Sequence, residues 1–273
     1  MTQGRKGDYL GHTAQKRFGQ NFLCDDQVIS DIVDSINPKD GDNLVEIGPG
    51  LCALTEPMCD RVSRLSVIEI DRDLAERLRH HPFIREKLDI HETDALKFDF
   101  SELAKETSSL RVYGNLPYNI STPLIFHLLS FGSSIKDMHF MLQREVVDRI
   151  AAVPGSKDYG RLSVMVQYYC STEKLLIVPP EAFRPAPKVY SAVVRLKPHA
   201  VKPYICKDEK LLSDITAAAF GQRRKTISNS VKKYLTGEQL ESLGIDRTAR
   251  AENLSVEEFV KIADAAFEAQ KDN

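Results

Sequence analysis

No apolar run in the 273-residue sequence approaches the length of a membrane span, and the polar start Met1-Thr2-Gln3-Gly4-Arg5-Lys6 has no signal-peptide core. The sequence therefore reads as that of a cytoplasmic protein without a membrane partner. Cys-x-x-Cys is missing as well. The five cysteines (Cys24, Cys52, Cys59, Cys170, Cys206) are odd in number and scattered, which argues for reduced thiols and against structural zinc. The histidines show no ligand spacing, so no metal is expected, and His80-His81 reads as surface. Repeats and low-complexity tracts are absent. A strong charge imbalance is also lacking: at net −2, with 28% charged and 42% hydrophobic residues, the chain is ordinary for a globular protein. Its length allows one large domain plus a small one.

What the total charge conceals is its distribution. Residues 1–20 carry Arg5, Lys6, Lys16 and Arg17 against Asp8 alone, and residues 220–235 carry Arg223, Arg224, Lys225, Lys232 and Lys233 with no acid. Two such islands on a slightly acidic chain fit an electrostatic footprint for phosphates; solvated surface cations are the plainer alternative.

After the first island, Asp25-Asp26 opens a helix whose apolar stripe is Val28, Ile29, Ile32, Val33 and Ile36, and Asn37-Pro38 stops it. Leu44–Ile47 reads as a buried strand, followed by Gly48-Pro49-Gly50 and a helix expected from Leu51 to about Asp60. Strand, glycine loop and helix form a nucleotide-type unit, although a plain tight turn would use the same glycines. The third glycine of a dinucleotide fingerprint is missing. Glu46 gives E-x-G-x-G, which fits S-adenosylmethionine better than NAD, because a sulfonium ligand has no pyrophosphate to repel. At the end of the second strand, Glu69 and Asp71 compete to accept the ribose hydroxyls. Glu69 is favoured, because Asp71 with Asp73 suits the cap of the following helix. Asp94, at the third strand end, suits either the adenine amino group of a cofactor or a turn cap.

The fourth strand is expected over Leu110–Tyr113, with Gly114 ending it and Asn115-Leu116-Pro117-Tyr118 in the loop before a helix at Ser121-Thr122-Pro123. The Asn115 amide oxygen and the carbonyls beside Pro117 would accept from an exocyclic NH2, and the Tyr118 ring offers a stacking face. Stacking requires the ring and not its hydroxyl. Met138–Gln143 reads as a fifth strand, Arg161–Tyr169 as a helix, and Lys174–Val178 with Ser191–Leu196 as a hairpin. Phe183 lies in the proline-rich turn between them, where it either faces a ligand or packs in the core. Strand signals stop near His199, and three or four helical segments follow. The sequence thus divides into a basic arm over 1–24, an α/β methyltransferase-type domain over 25–198 and a helical domain over 199–273.

The chain resembles the bacterial ribosomal RNA adenine N6,N6-dimethyltransferases of the small subunit. The resemblance lies in Lys16–Leu23, Glu46–Gly50, Val67–Asp71, Asp94-Ala95, Asn115–Ile120, Tyr159–Ser163, Pro185–Val189, Ser191–Val194 and Gln222–Thr226. It implies a Rossmann-like class I S-adenosylmethionine-dependent methyltransferase sheet with a small C-terminal helical domain. It further implies that Asn21, Leu23, Gly48, Glu69, Asp94 and Asn115 bind the cofactor. Asn115 to Tyr118 would hold the target base, with Tyr118 and Phe183 on either side of its ring. Arg17, Arg223, Arg224 and Lys225 would contact RNA. The substrate would be two adjacent adenosines in the 3′-terminal hairpin loop of 16S rRNA, met by a monomer in the immature subunit. A role mainly as an assembly checkpoint is the alternative. Cys52 departs from the glycine many methyltransferases place there; a position at the helix start would make the change harmless.

Overall fold

A computed structural model describes residues 8–13, 20–222 and 224–271. In chain order the strands are β1 (Asp8–Tyr9), β2 (His12–Thr13), β3 (Phe22–Leu23), β4 (Asn43–Ile47), β5 (Leu65–Glu69), β6 (Leu88–Glu92), β7 (Leu110–Asn115), β8 (Ile135–Gln143), β9 (Cys170–Val178), β10 (Phe183–Arg184) and β11 (Ser191–Pro198). The α-helices are α1 (Asp26–Ile36), α2 (Thr55–Arg61), α3 (Arg72–Arg79), α4 (Ser121–Leu129), α5 (Arg144–Ile150), α6 (Arg161–Tyr169), α7 (Glu209–Phe220), α8 (Ile227–Val231), α9 (Gly237–Ser242) and α10 (Val256–Lys271).

Seven strands form one sheet in the order β6-β5-β4-β7-β8-β11-β9, parallel from β6 to β8 and with β11 antiparallel to β8. The central strands are apolar because both faces are covered: Val45, Val67, Val112 and Phe140 are fully buried. Strand order reverses between β4 and β7, which opens a crevice beyond the carboxyl ends of the strands. Helix α1 is started by Asp25, whose side chain accepts from the Val28 amide, and is stopped by Asn37 at φ 49°. Its C-terminus is tied to the sheet by Arg111 of β7. That guanidinium donates to the Ile36 carbonyl (2.7 Å) and bridges Asp42 (2.7 Å) and Asp137 (3.0 Å).

The expected strands are all present. Two boundaries differ with consequence. Strand β7 runs on through Gly114 to Asn115, whereas the glycine was expected to end it. Strand β9 begins at Cys170, four residues before the expected Lys174.

The described residues form two compact units: one of residues up to Val147 with Glu173–Pro198, the other of Asp148–Thr172 with the chain from His199 onward. Residues 148–172, expected within a continuous 25–198 domain, group with the helical unit. Inside that unit the Gln167 amide donates to the carbonyls of Ile150 and Ala152, both at 2.8 Å, and Tyr159 and Phe259 each meet the ring of Phe220. Helix α7 is capped by Asp208, and α9 by a reciprocal Thr236–Gln239 box. No described helix is long and apolar enough to cross a membrane.

Candidate active site

A cavity of about 310 Å³ lies in the first unit, lined by Gln20–Leu23, the residues around Gly48 and Gly50, Glu69, Asp94 and the stretch Asn115–Ile120. It is where the carboxyl ends of β4, β5, β6 and β7 converge. Among its described lining residues are three carboxylates (Glu46, Glu69, Asp94) and no lysine, arginine or histidine. Such a wall suits a cationic ligand and is unsuited to a pyrophosphate. S-adenosylmethionine, with its sulfonium and ammonium charges, fits this donor set.

Gly48 and Gly50 adopt φ of 68° and 58°, the left-handed region that only glycine enters cheaply. The turn puts the Gly48 amide on the Ile68 carbonyl (2.9 Å) and the Gly50 amide on Glu69 Oε2 (3.2 Å). Cys52 also has a positive φ, 70°. Helix α2 therefore starts at Thr55, and Cys52 sits in the turn rather than at the helix start expected for it. A glycine is favoured there because the backbone is left-handed. Burial pushes the Cys52 thiol up to about 12, so it stays protonated.

Glu69 and Asp71 divide the work that was in competition. Asp71 accepts from the Asp73 amide (3.1 Å) and caps α3, while its other oxygen accepts from Gln20 Nε2 (3.1 Å). Glu69 lines the cavity, its Oε1 accepting from the Asp71 amide (2.9 Å). The Glu69 carboxylate thus accepts from the backbone amides of Asp71, Gly50 and Ile70, and with about four lone-pair sites keeps acceptor capacity for a hydroxyl. Asp94 accepts from the Leu96 amide (3.0 Å), the turn cap expected of it, and also lines the cavity.

Burial drives the Glu69 carboxyl up to about 7, against the pull of the Asp71 and Gly50 amides. Glu46, also up to about 7, is raised by burial and then by the charge of Glu69; the Tyr113 hydroxyl donating to it (3.0 Å) works the other way. Between about pH 4.5 and 7 the folded protein therefore holds protons that the unfolded chain releases, so this pair makes the cofactor-free protein lose stability as pH rises. Buried His139, depressed to about 4 chiefly by burial, acts oppositely between about pH 4 and 6.5. Denaturant melts at pH 5, 6 and 7.5 isolate the carboxyls by comparison with Glu46→Gln. The parent is expected to lose more stability than the variant across that range, and parallel profiles would contradict the assignment.

Asn115 closes the site from the end of β7. Its Nδ2 donates to the Asn21 carbonyl (3.0 Å), which orients the amide and leaves its oxygen as acceptor. The Leu116 amide donates to the Met141 carbonyl (3.1 Å), and the Pro117 carbonyl accepts from the Ile120 amide (3.2 Å). Of the two backbone acceptors expected beside Pro117, that of Leu116 is the more available. Tyr118 lies half-buried, its hydroxyl 2.8 Å from Ser191 Oγ.

The cofactor candidates Asn21, Leu23, Gly48, Glu69, Asp94 and Asn115, together with Leu116, Pro117 and Tyr118, all line this one cavity. Phe183 does not. Opposite Leu23 in the β3–β10 pair it is fully buried in the core cluster with Val178 and Ala182, while its neighbour Arg184 takes the exposed side. Its ring packs in the core cluster and is not part of this cavity's lining. Arg17 and Arg223 lie outside the described residues. Arg224 and Lys225 are exposed and immediately precede Thr226, the cap of α8.

Gly114, expected to end β7, instead relieves a close approach: an added Cβ would stand 2.4 Å from the Ile47 carbonyl oxygen. The only sequence signal was a glycine inside a strand pattern. Ser191 was seen within a motif but given no task.

The ribosomal RNA adenine dimethylase family model matches residues 11–267. The ribosomal RNA small subunit methyltransferase A of Colwellia psychrerythraea is 63% identical, covering 94% of this chain and 85% of its own. That of Idiomarina loihiensis is 60% identical over 96% of this chain and 91% of its own. The fold is shared with a dimethyladenosine transferase from Plasmodium falciparum, at a TM-score of 0.74 and 24% identity over 88% of this chain and 95% of that one. The chain belongs to the ribosomal RNA adenine dimethylase family and is an rRNA methyltransferase whose methyl donor is S-adenosylmethionine.

Proposed function

We propose that the protein dimethylates N6 of two adjacent adenosines in the 3′-terminal hairpin loop of 16S rRNA, acting as a cytoplasmic monomer on the immature small subunit during ribosome biogenesis. The observation that carries this reading is one cavity lined both by Glu69 and Asp94, acceptors for a nucleoside, and by the Asn115–Tyr118 loop, acceptors and a ring for a second base.

Glu69 accepts the ribose hydroxyls of the cofactor, Asp94 the amino group of its adenine, and Asn21, Leu23, Gly48 and Asn115 complete its site. When bound, S-adenosylmethionine supplies a methyl group already made electrophilic by the adjacent sulfonium. The remaining work is presentation. The target N6 is a poor nucleophile because its lone pair is delocalised into the ring. The Asn115 amide oxygen and the Leu116 carbonyl hold its hydrogens and favour a pyramidal nitrogen. The same oxygens stabilise the positive charge that develops there. The proton leaves to water, so no dedicated base is required. The base leaves its stack to enter, and the Tyr118 ring offsets part of that cost. Phe183, paired with Leu23 across β10 and β3, supports the strand that carries Leu23 into the site.

Glu69→Ala is expected to weaken S-adenosylmethionine binding tenfold or more, since hydrogen bonds to a charged group are worth about 1.5–3 kcal/mol each. Calorimetry on the folded variant giving the parent's affinity would remove Glu69 from this role. The basic arm over 1–24, with Arg17, and the helical domain over 199–273, with Arg223, Arg224 and Lys225, contact RNA phosphates. Replacing Arg223, Arg224 and Lys225 together with Ala should weaken binding to the immature subunit and lower the salt slope, by up to about 0.9 per lost phosphate contact, while cofactor affinity stays the same. An unchanged slope would make the island ordinary solvated surface.

The function itself is tested by incubating the purified protein and cofactor with immature small subunits isolated unmethylated. Digestion and mass spectrometry should find N6,N6-dimethyladenosine at two neighbouring positions of the 3′ hairpin. Methylation confined to other nucleotides, or none, would overturn the reading.

A further inference from the structure

We propose that Ser191 is a positioning residue for the Tyr118 ring, so that the start of β11 sets the face on which the target base rests. This deepens, and rests on, the reading of Asn115–Tyr118 as the base-holding loop. Tyr118 lies in the connection between β7 and α4, and a loop ring free to swing about its own side-chain bonds would be a poor platform. Here it is held at both ends. Its main-chain carbonyl accepts from Ser121 Oγ (3.2 Å), and its hydroxyl, at the far tip of the ring, meets Ser191 Oγ at 2.8 Å. Ser191 is itself fixed. It is fully buried, it pairs with Gln143 at the end of β8, and the preceding Tyr190 carbonyl accepts from the Arg144 amide (2.9 Å). The anchor therefore stands on the sheet rather than on another loop.

The consequence lies in the geometry of transfer. An in-line approach of N6 to a methyl group tolerates little displacement, and a shift of about 1 Å at a reacting centre can cost about a hundredfold in rate. Dimethylation makes this demand twice, the second time on a bulkier and less constrained amine that has lost one of its two hydrogens. A ring clamped through its hydroxyl keeps the base plane in place when one amino contact is gone. The hydroxyl that stacking does not need thereby acquires a function.

The test is a double-mutant cycle on the full chain with immature subunits at saturating cofactor, scoring mono- and dimethyladenosine by mass spectrometry. Ser191→Ala is expected to lower kcat about three- to tenfold, the worth of one neutral hydrogen bond, and to let monomethyladenosine accumulate. Cofactor Kd and melting temperature should move little. Tyr118→Phe should match it, and the double variant should lose no more than either single one, since both remove the same bond. Additive losses would overturn the proposal. So would a Ser191→Ala defect that tracks weakened cofactor binding or lowered melting temperature, or a variant with the parent's kcat. A parent that forms no dimethyladenosine would overturn the base-holding reading itself, and this inference with it.

Discussion

Asn115→Ala is expected to lose methyl transfer by about a hundredfold or more at saturating cofactor, because a preorganised polar contact at a reacting centre is worth about 2.7–4 kcal/mol. Binding to the immature subunit should remain nearly intact, since RNA affinity is carried by dispersed phosphate contacts. The hydrogen bond from Asn115 Nδ2 to the Asn21 carbonyl adds a second consequence. The substitution also removes this tie between the Asn21 carbonyl and the end of β7, so cofactor affinity is measured in parallel and rates are taken at saturation. Asn115→Asp separates the two effects: it keeps an acceptor but loses the donor to Asn21, and should hold more rate than Ala while sharing its weaker grip on the cofactor. Turnover near the parent's in Asn115→Ala would contradict the mechanism.

Gly114→Ala is expected to be strongly destabilising. Its Cβ would lie 2.4 Å from the Ile47 carbonyl oxygen, and the obstructing atom is backbone at the end of β4, which cannot swing aside. Strands β4 and β7 must part just where the glycine loop leaves one and Asn115 ends the other. Overpacking of this kind costs about 3 kcal/mol, at the upper end of its usual range, and should lower the melting temperature by roughly 6–12 °C. Whatever folds should bind cofactor poorly, because Gly48 and Asn115 flank the displaced atoms. A thermal melt and a calorimetric titration suffice, and a melting temperature within a degree or two of the parent's would show that the strands yield more easily than their pairing implies.

These two neighbours show what the sequence disclosed and what it withheld. Asn115 was legible because a short apolar run followed by Asn-Leu-Pro-Tyr places a polar amide at a strand end, and strand ends are where α/β sheets collect ligands. Glu69 and Asp94 were legible for the same reason. Gly114 was misread because glycine punctuates chains far more often than it relieves a close approach, and only the neighbouring strand reveals which is meant. Cys52 was misplaced on similar grounds, since a side chain says little about the sign of its own φ. Phe183 could not be settled from its loop, because the partner that buries it, Leu23, lies 160 residues earlier in the chain. Helix α6 was correct in extent, yet its membership of the helical unit depends on contacts with residues beyond 199 that no local pattern encodes. Local periodicity fixes which elements form; their exact ends, and the partners of a buried ring or glycine, depend on non-local contacts and stay hidden.

The proposed dimethylation of small-subunit rRNA is tested most directly by mass spectrometry of that rRNA from cells lacking the gene. Both N6,N6-dimethyladenosines are expected to vanish from the 3′ hairpin, to return with the wild-type gene, and not to return with one encoding Asn115→Ala. Finding both modified nucleotides at full occupancy in cells without the gene would contradict it.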